Sequence, residues 1–113
     1  MPYIDIKTSA KASKDAEAAI VSELGKHISI FPGKSETWLM ISLTDECRMT
    51  FAGTKEAAAI VEVKLFGTPD AGATDRFTAA ATDTVAKKLG INPDRVYVKY
   101  EGCTLWGVGG ENF

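Results

Sequence analysis

The residue with the clearest chemical potential is Pro2, which directly follows Met1. A small second residue such as proline normally permits removal of the initiator methionine, which would leave a secondary amine at the chain start. A general base works best with a pKa near ambient pH, and burial or a nearby positive charge would lower the pKa of this amine. Pro2 is therefore a candidate proton-transfer residue. The alternatives are that proline merely begins a strand, or that Met1 is retained and the nitrogen stays an amide.

Other residue types that commonly carry chemistry are sparse. The two cysteines, Cys47 and Cys103, form no C-x-x-C pair, and the single histidine, His27, lies far from both. This pattern does not match a zinc site, so we predict no metal centre. We expect both cysteines to be free thiols in a reducing compartment, with a disulfide between them left open as the alternative.

Length and charge narrow the range of functions. A chain of 113 residues has the size of one domain, which we place over 1–113. At this size about two thirds of the unfolded surface becomes buried, so oligomerisation would help. The net charge of −2 and the pI of about 5.4 argue against nucleic-acid binding, which needs a basic face.

Membrane insertion and classical secretion are not indicated either. No apolar run reaches the roughly 18 residues of a membrane span. The first residues lack the basic and apolar regions of a signal peptide. We expect a cytoplasmic protein without a membrane partner, and leaderless secretion stays open.

The first half of the chain predicts a strand, a helix and a second strand. Apolar and polar residues alternate over 2–8, which is typical of a strand with one buried face. Ser13 can cap a helix over 14–31, whose buried stripe would include His27. Residues 37–44 are mostly apolar, as expected for a central strand covered on both faces.

The second half repeats this order. A loop over 45–57, containing at most a short strand, leads to a strand at 58–66. Thr68–Asp70 would begin a helix, because a capping hydroxyl, a proline in the first turn and an acid near the positive dipole end favour a start there. That helix would end at Gly90. A fourth strand at 95–101 and a glycine-rich tail follow.

These elements form two β-α-β units, and each connection is long enough for a right-handed parallel crossover. We therefore predict an α/β (α+β) fold, a four-stranded mixed sheet with two helices on one face. The opposite sheet face needs a cover. Because no further helix is predicted, a partner subunit is the economical solution.

This layout and several short motifs resemble the macrophage migration inhibitory factor family of the tautomerase superfamily. The motifs span the whole chain in the family's order: Met1–Ile4, Gly33–Lys34, Met49–Gly53, Val61–Val63, Asn92–Val98 and Gly109–Phe113. The resemblance implies a homotrimer in which three sheets form a barrel, with a site at each subunit interface. It also implies keto–enol tautomerisation of phenylpyruvate-like α-keto acids, without metal or cofactor.

The resemblance also implies roles for individual residues. Pro2 would be the catalytic base, and Lys34 would hold the substrate carboxylate as a compact charge while lowering the pKa of Pro2. A backbone N–H near Leu65 would bind the polar end of the substrate, and Tyr97 would line the pocket of the neighbouring subunit. The candidates for the apolar pocket wall are Tyr3, Trp38, Trp106, Val108 and Phe113.

Three positions depart from the family's pattern. Lys99 stands where the family often has asparagine, on the same strand face as Tyr97. We expect Lys99 to bind substrate as a second cation, although it could also narrow the pocket. A tryptophan of mammalian members would fall near Val108 rather than at Trp106, so the apolar rim is rearranged. The mammalian C-x-x-C segment corresponds to 54–61, which holds no cysteine, so we expect no thiol-redox role.

Two other functions stay open at this stage. One is a signalling or binding trimer with vestigial catalysis, whose surface meets a protein receptor. The other is hydration or dehalogenation of a small unsaturated acid by the same proline, which normally requires an arginine pair and a further acid. The chain has three arginines, Arg48, Arg76 and Arg95, and the resemblance places none of them in the pocket.

Overall fold

The computed structural model describes residues 1–113 and consists of a four-stranded mixed sheet packed against two helices, as predicted. The four strands of the sheet are β1 (Pro2–Thr8), β2 (Met40–Thr44), β3 (Ala59–Phe66) and β4 (Val96–Cys103). The helices are α1 (Lys14–His27) and α2 (Ala71–Leu89). Two further short strands, β5 (Gly107–Val108) and β6 (Glu111–Asn112), form a hairpin in the tail.

The strand order is β2-β1-β3-β4. Each predicted β-α-β unit is a parallel pair, β1 with β2 and β3 with β4, and the two units join through the antiparallel pairing of β1 with β3. Alternate residues of these two central strands are buried against the helices, as the period of two requires. The members of this sheet layer of the core are Ile4, Ile6, Ala59, Val61, Val63 and Leu65.

Helix α1 begins where the sequence predicts and ends earlier. The Ala16 N–H donates to the Ser13 side chain at 3.1 Å, which confirms the cap. The α-helix ends at His27 and tightens into a 3-10 turn over Ile28–Ile30. Phe31 is already extended because it precedes a proline, whose ring disfavours helical geometry in the residue before it.

The prediction for β2 is wrong in two respects. The strand covers Met40–Thr44 rather than 37–44, because Glu36–Trp38 form a 3-10 turn. It is also an edge strand of this sheet, not a central one. Its apolar residues are not all covered on both faces within the chain, and Met40 is 66% exposed.

The boundaries in the second half differ by a few residues. The cap of α2 is Asp70, whose carboxylate accepts from the Ala73 N–H at 2.8 Å. Gly90 ends the helix as predicted, with a φ of 66° that favours glycine. Within the loop before β3, Phe51 and Thr54 form one isolated bridge. Strand β4 extends to Cys103.

The sheet face away from the helices is charged rather than apolar. Lys7 Nζ lies 2.8 Å from an Asp5 carboxylate oxygen, and Lys99 Nζ lies 3.1 Å from Glu101. The Lys7 hydrogen bond is the main reason why the pKa of Asp5 lies below its usual value. The exposed apolar side chains include Trp38, Met40, Tyr97, Leu105, Val108 and Phe113. Tyr97 shares the charged face with Lys99, two residues further along β4.

The two cysteines lie at opposite ends of the sheet. Cys47 donates its N–H to Thr8 at the end of β1, whereas the Cys103 carbonyl accepts from Gly67 just after β3. Both thiols are free, so the alternative of an intrachain disulfide is not realised. No helix has the length and apolar character needed to cross a membrane.

Candidate active site

The N-terminal residues lie inside the sheet rather than beside it. Pro2 pairs with Leu65 across the β1–β3 ladder, and its ring is buried. Met1 precedes it, half-buried, and the Met1 carbonyl accepts a hydrogen bond from the Phe66 N–H at 3.1 Å. With Met1 present the Pro2 nitrogen is an amide. Its basicity therefore depends on removal of that one residue.

Lys34 reaches this place through the turn that follows α1. Gly33 adopts a φ of 75°, which a glycine accepts without strain, and the Lys34 N–H closes the turn on the Phe31 carbonyl. The Lys34 side chain then donates to the Phe66 carbonyl at 3.0 Å. The two polar groups of Phe66 thus face the chain start on one side and the ammonium on the other.

The electrostatic environment of the chain start suits a proton acceptor. The pKa of the Met1 amine is lowered from 8.0, first by burial and then by the positive charge of Lys34. Both effects disfavour the protonated form. An amine on Pro2 would lie one residue deeper, within reach of the same burial and the same cation.

A cleft of about 270 Å³ opens beside Lys34, between the end of α1, the end of β3 and the start of α2. Its lining residues are Phe31, Pro32, Lys34, Leu65, Phe66, Gly67, Thr68, Pro69 and Asp70. Strand β4 crosses closely behind it, since a Cβ on Gly102 would lie 2.5 Å from the Gly67 carbonyl oxygen. The glycine allows β4 and the 67–69 segment to approach this closely.

The C-terminal tail brings aromatic residues to the same end of the sheet. The Phe113 and Phe66 rings meet edge to face with centroids 5.7 Å apart. The Phe113 N–H donates to the Trp106 carbonyl at 3.1 Å. Of the predicted wall residues, Phe113 and Trp106 therefore lie near the cleft, although Phe113 is itself exposed, and Trp38 and Val108 do not line it.

Of the predicted site residues, only Lys34 and Leu65 line this cleft, and Tyr97, Lys99 and Tyr3 have other surroundings within one chain. Tyr97 is in register with Ile60, five residues along β3 from Leu65. At about 3.3 Å per residue, Tyr97 lies roughly 17 Å along the strand from the partner of Pro2. Lys99 pairs with Glu62 on the charged face. The Tyr3 hydroxyl bonds to Ser42 at 2.8 Å across β1 and β2.

Phe66 is a candidate site residue that the sequence analysis did not name. The expected N–H was placed near Leu65, and the N–H that faces the chain start belongs to the next residue. The available signal was the alternation within β3, which buries the Leu65 side chain in the core beside Val63 and Val61. Because β3 ends at Phe66, the N–H of this residue can donate to an acceptor outside the strand ladder, here the Met1 carbonyl.

Comparison with known proteins identifies the family. The model of the macrophage migration inhibitory factor family matches residues 1–112. The chain belongs to this family. Family members include both tautomerase-like and cytokine-like proteins, and they bind small molecules and oligomerise.

Individual family members are similar over nearly their full length. Macrophage migration inhibitory factor from Meriones unguiculatus is 24% identical over 109 residues, covering 96% of this chain and 94% of the relative. The homologue from Prochlorococcus marinus is 33% identical, with a TM-score of 0.83 over 98% of each chain. MIF2 from Leishmania major superposes with a TM-score of 0.94 at 26% identity, covering 100% of this chain and 97% of its own.

The positive charge of Lys34 should have a measurable effect on the pKa of the Met1 amine. In protein that retains Met1, Lys34→Met should raise the pKa of the Met1 amine part of the way back towards 8.0, because the positive charge is lost while the burial remains. An NMR titration of the labelled amine measures this. Lys87→Met, on the exposed end of α2, serves as the matched control and should leave the titration unchanged. An unaltered pKa of the Met1 amine in Lys34→Met would contradict the effect assigned to the Lys34 charge.

Proposed function

We propose that the protein is a cofactor-independent keto–enol tautomerase that acts on phenylpyruvate-like α-keto acids, with the Pro2 amine as general base. The observation that carries this proposal is the position of the chain start, which lies in the sheet next to Lys34 and has a lowered amine pKa. The same burial and the same cation would favour the neutral, basic form of an amine on Pro2. Membership of a family with tautomerase-like members supports the same chemistry.

Removal of Met1 would change two groups at once. It converts the Pro2 amide into an amine, and it takes away the carbonyl that now accepts the Phe66 hydrogen bond. The cleaved chain would then offer a base, a free backbone N–H and the Lys34 ammonium within one small region. This combination matches a substrate that carries a proton to be moved, a carbonyl oxygen and a carboxylate.

The reaction itself is one proton removed and one returned. The Pro2 nitrogen takes a proton from the carbon next to the keto group, and the electron pair moves onto the carbonyl oxygen. That oxygen then receives a proton, which completes the enol. Lys34 would hold the carboxylate, and the Phe66 N–H would donate to an oxygen of the substrate. Donors fixed before the reaction stabilise the developing negative charge most effectively.

We propose a homotrimer in which neighbouring subunits complete each site with Tyr97 and Lys99. Both edges of the sheet, β2 and β4, are unpaired within the chain, and unprotected edges favour pairing with another strand. Exposed apolar side chains lie near these edges, including Met40 and Tyr97. A neighbouring edge that pairs there would cover them and would bring a second chain towards the cleft.

The Pro2 mechanism predicts a large loss in Pro2→Gly. Glycine also permits removal of Met1, so intact mass can confirm that both proteins are processed. We expect kcat/KM for phenylpyruvate to fall about 100-fold, because glycine replaces the secondary amine that the proline ring holds in place by a more mobile primary amine, and a general base acts only when it is positioned. Processed wild-type protein without tautomerase activity would contradict the proposal and would favour a binding protein.

The trimer predicts a defined mass in solution. Sedimentation equilibrium at micromolar concentration should give three times the chain mass of 12.1 kDa. The exposed apolar edges have no other cover within the protein. A monomer at that concentration would refute both the trimer and the shared sites.

Lys99 should contribute to substrate binding. Lys99→Met should raise KM for phenylpyruvate by about 10-fold, which is the usual effect of losing one charged hydrogen bond. The ion pair with Glu101 is exposed, so its loss should hardly affect folding. Lys87→Met is the control for the loss of one positive charge. An unchanged KM in Lys99→Met would assign Lys99 to the surface alone.

A further inference from the structure

Arg95 is an almost buried cation that the proposed reaction does not use. Only 10% of its side chain is exposed. Its Nε donates to the Ala57 carbonyl at 3.1 Å, and its Nη2 donates to the carbonyls of Glu56 at 2.8 Å and Thr54 at 3.4 Å. Burial of a guanidinium is costly unless it is hydrogen-bonded. These contacts fix the loop before β3 to the start of β4.

The same guanidinium lies over the first of two aromatic rings that contact each other. The Arg95 Cζ atom lies 5.1 Å from the centroid of the Phe51 ring, within the range of a cation–π contact. The Phe51 ring in turn meets the Tyr97 ring edge to face, with centroids 4.9 Å apart and an angle of 66°. Arg95, Phe51 and Tyr97 therefore form one continuous line of contacts.

Tyr97 depends on this line because little else holds it. Its side chain stands on an open sheet face and is 59% exposed. A shallow apolar hollow of about 180 Å³ adjoins its ring, with Met49 and Ile60 among the lining residues. Phe51 also lines that hollow. Without the Phe51 ring the hollow would widen, and the Tyr97 ring could turn into it by a change of rotamer.

We propose that Phe51 and Arg95 are positioning residues for Tyr97, and through Tyr97 for the substrate pocket of the neighbouring subunit. The second half of this statement rests on the proposed tautomerase function. The Phe51 ring contacts the Tyr97 ring edge to face, and the Arg95 guanidinium packs over the face of the Phe51 ring. A binding group must keep its geometry through surrounding packing, since small displacements weaken the contacts it makes.

The variants that test this proposal change the aromatic ring of Phe51 and leave the rest of the loop before β3 unchanged. Phe51→Leu keeps apolar bulk and removes the ring, whereas Phe51→Tyr keeps the ring. In processed protein we expect Phe51→Leu to raise KM for phenylpyruvate about 3- to 10-fold with kcat within twofold, since an aromatic contact of this kind has that effect on binding. Phe51→Tyr should restore the KM of the wild type.

A double-mutant cycle separates positioning from general destabilisation. In a Tyr97→Leu background, Phe51→Leu should cause no further rise in KM, because the residue it positions is already absent. Val85→Ala removes buried volume on α2, away from Tyr97, and should lower the denaturation midpoint without changing KM. A KM effect of Phe51→Leu that persists in full in the Tyr97→Leu background would overturn the proposal.

A spectroscopic measurement tests the positioning without any need for activity. The chain contains three tyrosines, Tyr3, Tyr97 and Tyr100, so fluorotyrosine labelling gives three ¹⁹F signals. Phe51→Leu and Arg95→Lys should both shift the Tyr97 signal and leave the Tyr3 signal in place. If Arg95→Lys does not fold, the Phe51 variants still decide the matter. An unshifted Tyr97 signal in Phe51→Leu would overturn the proposal.

The two proposals can therefore fail separately. Inactive processed wild type defeats the tautomerase and the pocket role, and the ¹⁹F signal still decides whether Phe51 and Arg95 hold Tyr97. Active wild type with an unchanged KM in Phe51→Leu defeats only the positioning role.

Discussion

The antiparallel pairing of β1 with β3 is the constraint on which the rest of the structure depends. It joins two parallel β-α-β units into one sheet and places the apolar residues of both central strands under α1 and α2. The same register also sets Pro2 opposite Leu65 and brings Met1 to Phe66. A shift of one residue would turn the buried residues of β1 to the charged face. The packing of the core therefore also defines the position of the candidate base.

Phe66 links that strand register to the candidate site. Its carbonyl accepts from Lys34, which arrives from the turn after α1, and its N–H points to the start of β1. Three distant parts of the chain thus meet at one peptide unit. Backbone groups suit this purpose because their direction is set by the ladder rather than by rotamers. The candidate site consequently needs few dedicated side chains, which agrees with its weak signature in the sequence.

Much of the fold could be predicted from local patterns, while the positions of strands and pocket residues could not. Alternation over 2–8, the Ser13 cap and Gly90 predicted elements that the structure confirms, because these signals act between near neighbours. The apolar run at 37–44 did not distinguish a central strand from an edge whose apolar residues lie open. Pro2 and Lys34 could be proposed from residue type and resemblance. The role of Phe66 depends on a backbone direction, and that of Phe51 on a ring contact between a loop and β4.

The attachment of the chain start to β3 would limit the time in which Met1 can be removed. An aminopeptidase needs its substrate residue in an accessible, extended segment, and in the folded protein the Met1–Pro2 bond is held against β3. The chain start is held by Leu65 and Phe66, so at roughly 5–20 residues per second these residues are made about 3 to 13 seconds after Met1. Removal of Met1, which the proposed base requires, would therefore compete with folding. The fraction of chains with a free proline amine would then depend on translation speed and aminopeptidase supply as well as on sequence.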